Sequence, residues 1–410
     1  MEVVKRFTRL GKREYTLLCL LIVVNLAIHF TIIQDPPSLI SDEFYYTNDA
    51  KVILTEHSSN RTEQPPLGKL LIASDVALFG DNPFGWRTFP IIFGTANIAL
   101  LYLICRRLQM SRRAANIAAF LLTFENLSFV HSGIAMLDVF SLTFMMLSFW
   151  LYLRYNYSLS AVAVALATLS KLTGVFAIMV IFLHWLIARR TGKIHFIASM
   201  ALAPLSFLLL MPVLEFAIYH RLTNFVSSIF VMLTQSDSLT FAFAATSQPP
   251  LIGPGQIIMP PHRPWEIVTL PQIIPYCHNP HYFGTISFTI WALIIPTFIY
   301  MMVKSVKKNE PGLLGTLWFI STYLVWIPIY LITDRITYVY YFYPAVGAIC
   351  IALGMGLSWL IDFWQTRRTS KLRLISIVGV ILFLVLHLGV FVFLAPVNPW
   401  PVERLLASLM

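Results

Sequence analysis

Two adjacent carboxylates, Asp42 and Glu43, follow the first long apolar run of a chain that otherwise keeps charge out of its apolar segments. A carboxylate shielded by apolar neighbours can have a raised pKa and act as a general base, and we expect Asp42 to be this catalytic base. Glu43 points elsewhere than Asp42 in an extended or helical segment, so we expect it to bind hydroxyl groups of a substrate. The plainer readings of Asp42 are a solvated loop acid or a helix N-cap, which Ser41-Asp42 would suit.

The same pair could be considered as a divalent-metal site. Two carboxylates alone make a poor cage for such an ion. His278 and His281, next to Cys277, have metal-like spacing, but His-x-x-His across a proline in a loop is a weak pattern. We therefore expect neither a metal nor a resident cofactor.

The elements that position these residues are apolar helices. Of the 410 residues, 58% are apolar and only 12% are charged, and the mean hydropathy is +0.74, which excludes a soluble globular protein. We predict an all-α polytopic membrane protein with a single transmembrane domain over residues 1–410. The eleven predicted spans are 16–34, 88–105, 114–130, 135–153, 158–171, 172–188, 195–218, 283–303, 312–332, 338–361 and 374–395.

Charge distribution decides between one helix and a hairpin for residues 158–188. With a hairpin turning at Lys171-Leu172-Thr173-Gly174, 20 of the 29 Lys and Arg residues fall in connections on one side of the membrane. A single helix would divide them evenly and leave Lys171 in the middle of the membrane. The hairpin places the N-terminus in the cytoplasm of a cell-membrane protein, and the net charge of +10 then reflects orientation rather than nucleic-acid binding.

In this topology the two long connections, residues 35–87 and 219–282, are extracytoplasmic, so function is expected on that face. The first contains Asp42, the stretch Gln64-Pro65-Pro66-Leu67-Gly68-Lys69 and an amphipathic stretch, Leu70 to Phe79, that is long enough for a surface helix but too short to span the membrane. The second contains an interfacial or re-entrant segment, 225–246, and then a proline-dense stretch that predicts an ordered lid-like loop.

The order of these features resembles the protein O-mannosyltransferase family, whose members have the GT-C glycosyltransferase fold. The similarity rests on seven motifs that occur in the family's order. They are Asp42-Glu43, Gln64-Pro65-Pro66-Leu67-Gly68-Lys69, Trp86-Arg87-Thr88-Phe89-Pro90, Ala135-Met136-Leu137-Asp138, Ser170-Lys171-Leu172-Thr173-Gly174, Pro264-Trp265-Glu266 and the segment from Arg335 to Pro344.

The chain also departs from the family's usual pattern. Gln64 stands where the family usually has histidine, Gly133 where it has an arginine, and Ile267 where a tryptophan is common. His131 could partly replace that arginine. The resemblance is to prokaryotic-type members, which lack the large extracytoplasmic MIR domain of eukaryotic ones.

The resemblance implies an inverting enzyme that transfers mannose from a polyprenyl (dolichyl-type) phosphate to Ser or Thr hydroxyls of a secreted or surface protein. Asp42 would be the base, and cations would hold the departing phosphate. The candidate phosphate ligands are Lys171, Arg335 and Arg87, each of which could instead snorkel to the membrane interface. Gln64, Lys69, Asp138, Trp265 and Tyr341 are expected to bind or support substrate, although Asp138 could simply neutralise Lys171 or Arg87.

Two other functions stay open from the sequence. A GT-C enzyme of this kind could act on a lipid or surface-glycan acceptor, and Gly133 and Ile267 keep that alternative open. A secondary transporter would place ionisable residues near the bilayer midplane and show repeated halves, neither of which the sequence indicates. Apart from donor, acceptor and membrane lipids, the resemblance is compatible with a homo- or hetero-oligomer, and no nucleic acid is expected.

Overall fold

The computed structural model of the protein describes residues 14–188, 190, 192–235, 240–241, 260–278, 281–366 and 370–396, and these are mostly helical. The helices of the first half are α1 (Thr16–Ile32), α2 (Glu43–Glu56), α3 (Pro66–Phe79), α4 (Pro83–Arg107), α5 (Arg112–Thr123), α6 (Asn126–Ser132), α7 (Leu137–Leu153), α8 (Tyr157–Ser170) and α9 (Phe176–Ile187). A short 3₁₀ turn, Leu172–Val175, separates α8 from α9.

The second half continues with α10 (Lys193–Met200), α11 (Leu202–Tyr219), α12 (Phe225–Gln235), α13 (Pro264–Thr269), α14 (Phe288–Trp291), α15 (Ile294–Val306), α16 (Glu310–Phe319), α17 (Trp326–Thr333), α18 (Val346–Thr366) and α19 (Ser370–Leu394). A π-helical turn, Ile320–Leu324, joins α16 to α17, and a 3₁₀ segment, Val339–Ala345, precedes α18. The strands β1 (Ile274–His278) and β2 (His281–Gly284) pair antiparallel.

Five helical segments of the described residues are long and apolar enough to cross a membrane, and a sixth is obtained if the bent pair α6 and α7 counts as one span. They are Pro83–Arg107, Lys193–Tyr219, Glu310–Thr333, Val339–Phe363 and Leu374–Leu394. Shorter apolar helices include α1, α8 and α15. The predicted number of eleven spans stays a prediction.

The predicted hairpin over 158–188 agrees with the contacts of α8 and α9. Tyr152 is near the end of α7, shortly before the loop that leads into α8. Its hydroxyl shares a 2.9 Å hydrogen bond with His184 Nδ1 near the end of α9. The end of α9 therefore returns to the start of α8. Gly174 makes the turn tight, because a Cβ there would lie 2.3 Å from the carbonyl carbon of Ala167.

The structure corrects two of the predicted spans. The span drawn at 114–130 is broken, because α5 ends at Thr123 and Glu125 caps the new helix α6 by accepting a hydrogen bond from Ser128 N. Helix α6 then meets α7 at an angle of 109°. The span drawn at 283–303 begins instead with β2, and the helical part is divided into α14 and α15.

The first long connection is ordered by helix-start signals. Pro66 occupies the first turn of α3, where a missing N–H costs nothing. Gly68 lets α3 approach the end of α8 closely, because a Cβ at Gly68 would lie 2.7 Å from the carbonyl oxygen of Ser170. Of the predicted lid-like loop, residues 242–259 lie outside the described residues.

Candidate active site

Asp42 lies in a recess at the start of α2. The residue keeps part of its surface exposed to solvent, and it occupies the N-cap position without making a side-chain capping bond. Its carboxylate accepts no hydrogen bond from the described residues. Ser41, just before it, has a φ of 52°, a left-handed conformation that costs a non-glycine residue on the order of 1–3 kcal/mol and that clusters at functional sites.

The surroundings of Asp42 favour its protonated form more than bulk water does. Burial raises the pKa of the Asp42 carboxyl above its usual value. The positive charge of Lys171 opposes this effect, the negative charge of Asp138 adds to it, and Arg61 opposes it. A carboxylate that is accessible, carries a raised pKa and is not engaged by the protein has the properties of a general base.

Lys171 and Asp138 form an ion pair beside Asp42. Lys171 Nζ lies 2.7 and 2.8 Å from the two carboxylate oxygens of Asp138, and 5.1 Å from the ring centroid of Tyr340. Lys171 directly follows α8 and Asp138 is in the first turn of α7, so the close packing of these two helices brings the pair together. We call Asp42, Asp138, Lys171 and Tyr340 the Asp42 recess.

Glu43 and Arg87 form a second ion pair, and this one is fully buried. Arg87 Nε and Nη2 donate to the two oxygens of Glu43 at 3.0 and 2.9 Å. The three remaining N–H groups of Arg87 donate to the carbonyl oxygens of Ile33, Pro36 and Ser38. All five donors of Arg87 are therefore occupied within the protein.

Glu43 is as completely engaged as Arg87. Besides the two bonds from Arg87, its carboxylate accepts hydrogen bonds from Ile40 N at 3.2 Å and Ala135 N at 3.1 Å. These bonds tie the first connection to the bend between α6 and α7. This geometry argues against the predicted roles of Arg87 as a phosphate ligand and of Glu43 as a hydroxyl ligand, because neither side chain has a free group or exposed surface for a substrate.

Arg335 and Tyr341 lie together on the segment before α18. Arg335 Nη2 donates to the hydroxyl of Tyr341 at 3.3 Å, and the Tyr341 ring packs at 4.5 Å on that of Trp326. The Tyr341 ring also lies 5.2 Å from the ring of Tyr340, which connects Arg335 and Tyr341 to the recess through an aromatic contact.

Trp265 is further along the same group of loops. It packs edge-on against Tyr330 at 5.1 Å, and the adjacent His262 pairs with Thr337 through two backbone hydrogen bonds of 2.7 and 2.9 Å. The structure thus joins the Pro264-Trp265-Glu266 motif to the Arg335 motif. It shows Trp265 in contact with Tyr330 rather than with the Asp42 recess.

Gln64 and Lys69 line a different space. A cavity of about 360 Å³ lies between the start of α3, the end of α11 and the start of α12, and its lining includes Gln64, Lys69 and Glu215. Lys69 is buried, and its Nζ donates to Ser59 Oγ at 2.9 Å and to the carbonyl of Arg61 at 2.8 Å. Burial lowers the pKa of Lys69 to about 8.

Arg61 was not among the residues selected from the sequence, yet it lies beside the recess. Its guanidinium carbon is 4.1 Å from the ring centroid of Tyr45, which is three residues after Asp42 and so on the same side of α2. The sequence signal for Arg61 is weak, because it is one cation in a polar loop before Gln64.

The structure shows the surroundings of Gly133, His131 and Ile267, which the sequence resemblance singled out. A Cβ at Gly133 would lie 3.1 Å from Nδ1 of His29, so the imidazole of α1 occupies part of the space beside this position. His131 is buried, and its Nε2 shares a 2.9 Å hydrogen bond with the hydroxyl of Tyr276. Ile267 is wholly buried, and its carbonyl accepts a hydrogen bond from the indole of Trp291.

Within the described residues, no three His, Cys, Asp or Glu side chains come together in a group that could hold a metal ion. The expectation that no metal takes part stays a prediction.

Comparison with known proteins identifies relatives by sequence. Residues 79–227 match the family model described as dolichyl-phosphate-mannose-protein mannosyltransferase. The chain is 34% identical over 139 residues to the polyprenol-phosphate-mannose–protein mannosyltransferase of Mycobacterium tuberculosis, and 38% identical over 90 residues to that of Corynebacterium glutamicum. These alignments cover 32% and 22% of the chain and 27% and 17% of the relatives, so the chain spans about a quarter or less of their length.

Comparison of structures extends over nearly the whole chain. A subunit of the protein O-mannosyltransferase Pmt1-Pmt2 complex of S. cerevisiae, solved with its sugar donor, aligns with a TM-score of 0.70 over 97% of this chain and 92% of that one, at 12% identity. ArnT from Cupriavidus metallidurans aligns with a TM-score of 0.55 over 94% of this chain and 73% of that one, at 17% identity. The chain therefore has the GT-C fold of these membrane proteins, and its residues 79–227 match the model of the dolichyl-phosphate-mannose-protein mannosyltransferase family.

Proposed function

We propose that the protein is an inverting glycosyltransferase of the membrane that moves mannose from a polyprenyl phosphate to a Ser or Thr hydroxyl of a protein. The observation that carries this proposal is the Asp42 carboxylate, which lies in a recess of a GT-C fold without a hydrogen-bond donor from the described residues. The family match of residues 79–227 and the names of its relatives support the donor and the acceptor.

In the proposed reaction Asp42 accepts the proton of the acceptor hydroxyl as its oxygen attacks the anomeric carbon. The bond from that carbon to the phosphate oxygen breaks, and the phosphate leaves with the electron pair. Because attack occurs opposite the leaving group, the anomeric configuration inverts. Lys171 and Arg335 supply positive charge on the phosphate side, and the buried pair of Glu43 and Arg87 fixes the connection that carries Asp42.

We place this chemistry on the extracytoplasmic face of the cell membrane. The two long connections that contain Asp42 and Trp265 are predicted on that face from the distribution of Lys and Arg. The acceptor would then be a secreted or surface protein, and the yeast relative, which is a complex of two proteins, supports an oligomer as a further proposal.

The experiment uses membranes that contain the full chain, labelled polyprenyl-phosphate mannose and either a Ser/Thr-rich peptide or a lipid acceptor. The variant Asp42→Asn keeps the shape of the side chain and removes the base, and we expect transfer to fall by about a hundredfold or more. Asp35→Asn is the matched control, because Asp35 is an exposed carboxylate in the same connection.

Full activity of Asp42→Asn would contradict the assignment of the base. Transfer by the wild type to lipid alone would contradict the protein acceptor. Retention of the anomeric configuration in the product would contradict the single-base mechanism.

A further inference from the structure

The cations near Asp42 differ in how many of their donors are free. All five N–H groups of Arg87 are used inside the protein, and Lys171 is bound by both oxygens of Asp138. The Arg61 guanidinium makes one long hydrogen-bonded ion pair, from Nη1 to Glu63 at 3.4 Å. Its other guanidinium N–H groups meet no acceptor among the described residues.

Arg61 is also accessible, because its side chain is 30% exposed. Its guanidinium stacks over the ring of Tyr45 with 4.1 Å between the guanidinium carbon and the ring centroid. Tyr45 and Asp42 are three residues apart at the start of α2 and face the same side, so the stack holds the free donors next to the recess.

The backbone of Arg61 is held by polar contacts with its neighbours in the loop. Lys69 Nζ donates to the carbonyl of Arg61, and Arg61 N donates to Ser59 Oγ at 3.2 Å. The Ser59 hydroxyl in turn donates to the buried carboxylate of Asp49 at 2.9 Å. This chain of buried polar contacts positions Arg61 before any ligand arrives, which lowers the cost of binding.

We propose that Arg61 binds the phosphate of the lipid-linked donor and stabilises that phosphate as it leaves the sugar. The inference rests on the proposed function, because that reaction breaks the bond between the anomeric carbon and the phosphate oxygen, and the phosphate gains the electron pair and a negative charge. A guanidinium presents planar, paired N–H groups that match two phosphate oxygens. Asp138 holds the Lys171 ammonium at 2.7 and 2.8 Å, whereas the ion pair of Arg61 with Glu63 is longer, at 3.4 Å, and uses only Nη1, so the guanidinium keeps further N–H groups for a phosphate.

The same guanidinium chemistry would bind the phosphate of an anionic membrane lipid. The two sources differ in one respect that can be measured. Binding to bilayer lipids depends on the composition of the bilayer, whereas binding to the donor persists in a bilayer of zwitterionic lipid.

The experiment measures retention of labelled polyprenyl-phosphate mannose by the purified full-length protein in phosphatidylcholine nanodiscs without acceptor, and then the KM for donor and kcat. We expect Arg61→Gln to weaken donor binding and raise the donor KM by about ten- to a hundredfold, as for loss of a hydrogen bond to a charged group. Arg61→Lys should recover only part of this loss. Arg221→Gln, which removes an exposed arginine outside the site, should match the wild type.

Each result separates the two proposals. If the wild type retains no donor, the proposed function itself is wrong. If it retains donor and Arg61→Gln retains it equally well, the phosphate role of Arg61 is wrong. An effect of Arg61→Gln that occurs only when phosphatidylglycerol is added would assign Arg61 to bilayer lipid instead.

Discussion

Asp42 and Glu43 are neighbours with opposite environments. Glu43 is wholly buried and accepts four hydrogen bonds, two of them from Arg87. Asp42 keeps contact with solvent and accepts none from the described residues, and burial raises its pKa. This difference supports the proposed division of roles, in which Glu43 belongs to a structural ion pair and Asp42 acts as the base.

The raised pKa of Asp42 predicts the acid limb of the pH profile. A base must be ionised to act, so activity falls as the pH drops through the Asp42 pKa, which lies above the ordinary value of about 3.9. Asp138→Asn removes a negative charge and should move this limb down by about one pH unit, whereas Lys171→Gln removes a positive charge and should move it up by a similar amount. The measurement is kcat/KM against pH.

Shifts of the acid limb in opposite directions in these two variants are the diagnostic result. A structural disturbance would have no reason to move the limb down in one variant and up in the other. A limb that stays in place in both variants would show that Asp42 is not the titrating base. Asp35→Asn serves as the control for loss of an exposed carboxylate from the same connection.

The buried pair of Glu43 and Arg87 predicts a large loss of stability in a single variant. Arg87→Met leaves the Glu43 charge buried without its cation, which should lower the free energy of unfolding by about 3–5 kcal/mol. The double variant Glu43→Gln and Arg87→Met should recover part of the loss, because no uncompensated charge remains. Unfolding in detergent is measured for all four members of the cycle, and additive effects in the double variant would contradict the coupling.

Only part of this site follows from the sequence. Asp42 can be singled out by its place after the first apolar run. The role of Glu43 cannot be predicted from the sequence, because Arg87 is 44 residues away and reaches Glu43 only through the tertiary fold. Arg61 is inconspicuous for the same reason, since its closeness to Asp42 depends on the fold of the loop before α3 and on the ring of Tyr45.

At the scale of elements, the approach of α3 to α8 controls the position of Lys171. Gly68 permits this approach, and a side chain there would meet the carbonyl of Ser170, the residue before Lys171. Gly68→Ala should therefore displace α3 from α8 by a few tenths of an ångström and lower the free energy of unfolding by about 1–3 kcal/mol. We expect transfer activity to fall at least tenfold at a temperature where the variant is still folded.

Gly379→Ala in α19 is the matched control, because a Cβ at Gly379 has no atom within 4 Å. Activity and unfolding temperature are measured for both variants. An active Gly68→Ala enzyme would show that the site tolerates a shift of α3, and equal effects of the two variants would point to a general sensitivity of glycines.

Helix boundaries show where hydropathy stops being informative. The apolar run from 114 to 130 predicts one span. In the structure Glu125 is buried and caps α6, so the run is divided into two helices, α5 and α6. Hydropathy alone does not reveal the break between α5 and α6, because one acid changes the average of an apolar run very little. The break follows from the hydrogen bonds that Glu125 accepts from Ser128 N and Ser287 N, and these depend on the tertiary fold. The hairpin of α8 and α9 was predictable because Lys171 could not be left within the membrane.

At the scale of the whole molecule, the proposed reaction requires Asp42 and the cytoplasmic connections to lie on opposite sides of the membrane. Residues Asn60 and Tyr155 are exposed and report on the two predicted faces. In a parent protein with Cys19→Ser and Cys277→Ala, the remaining cysteines, Cys105 and Cys350, are buried, so a single new cysteine gives a clear signal. We expect a membrane-impermeant thiol reagent applied to intact cells to label Asn60→Cys and to leave Tyr155→Cys unlabelled until the cells are opened.

Labelling of Tyr155→Cys alone would show that the topology is inverted. Asp42 would then lie in the cytoplasm, where it would meet cytosolic rather than translocated acceptors. Labelling of both variants in intact cells would contradict the three spans, 88–105, 114–130 and 135–153, that are predicted to separate the two residues.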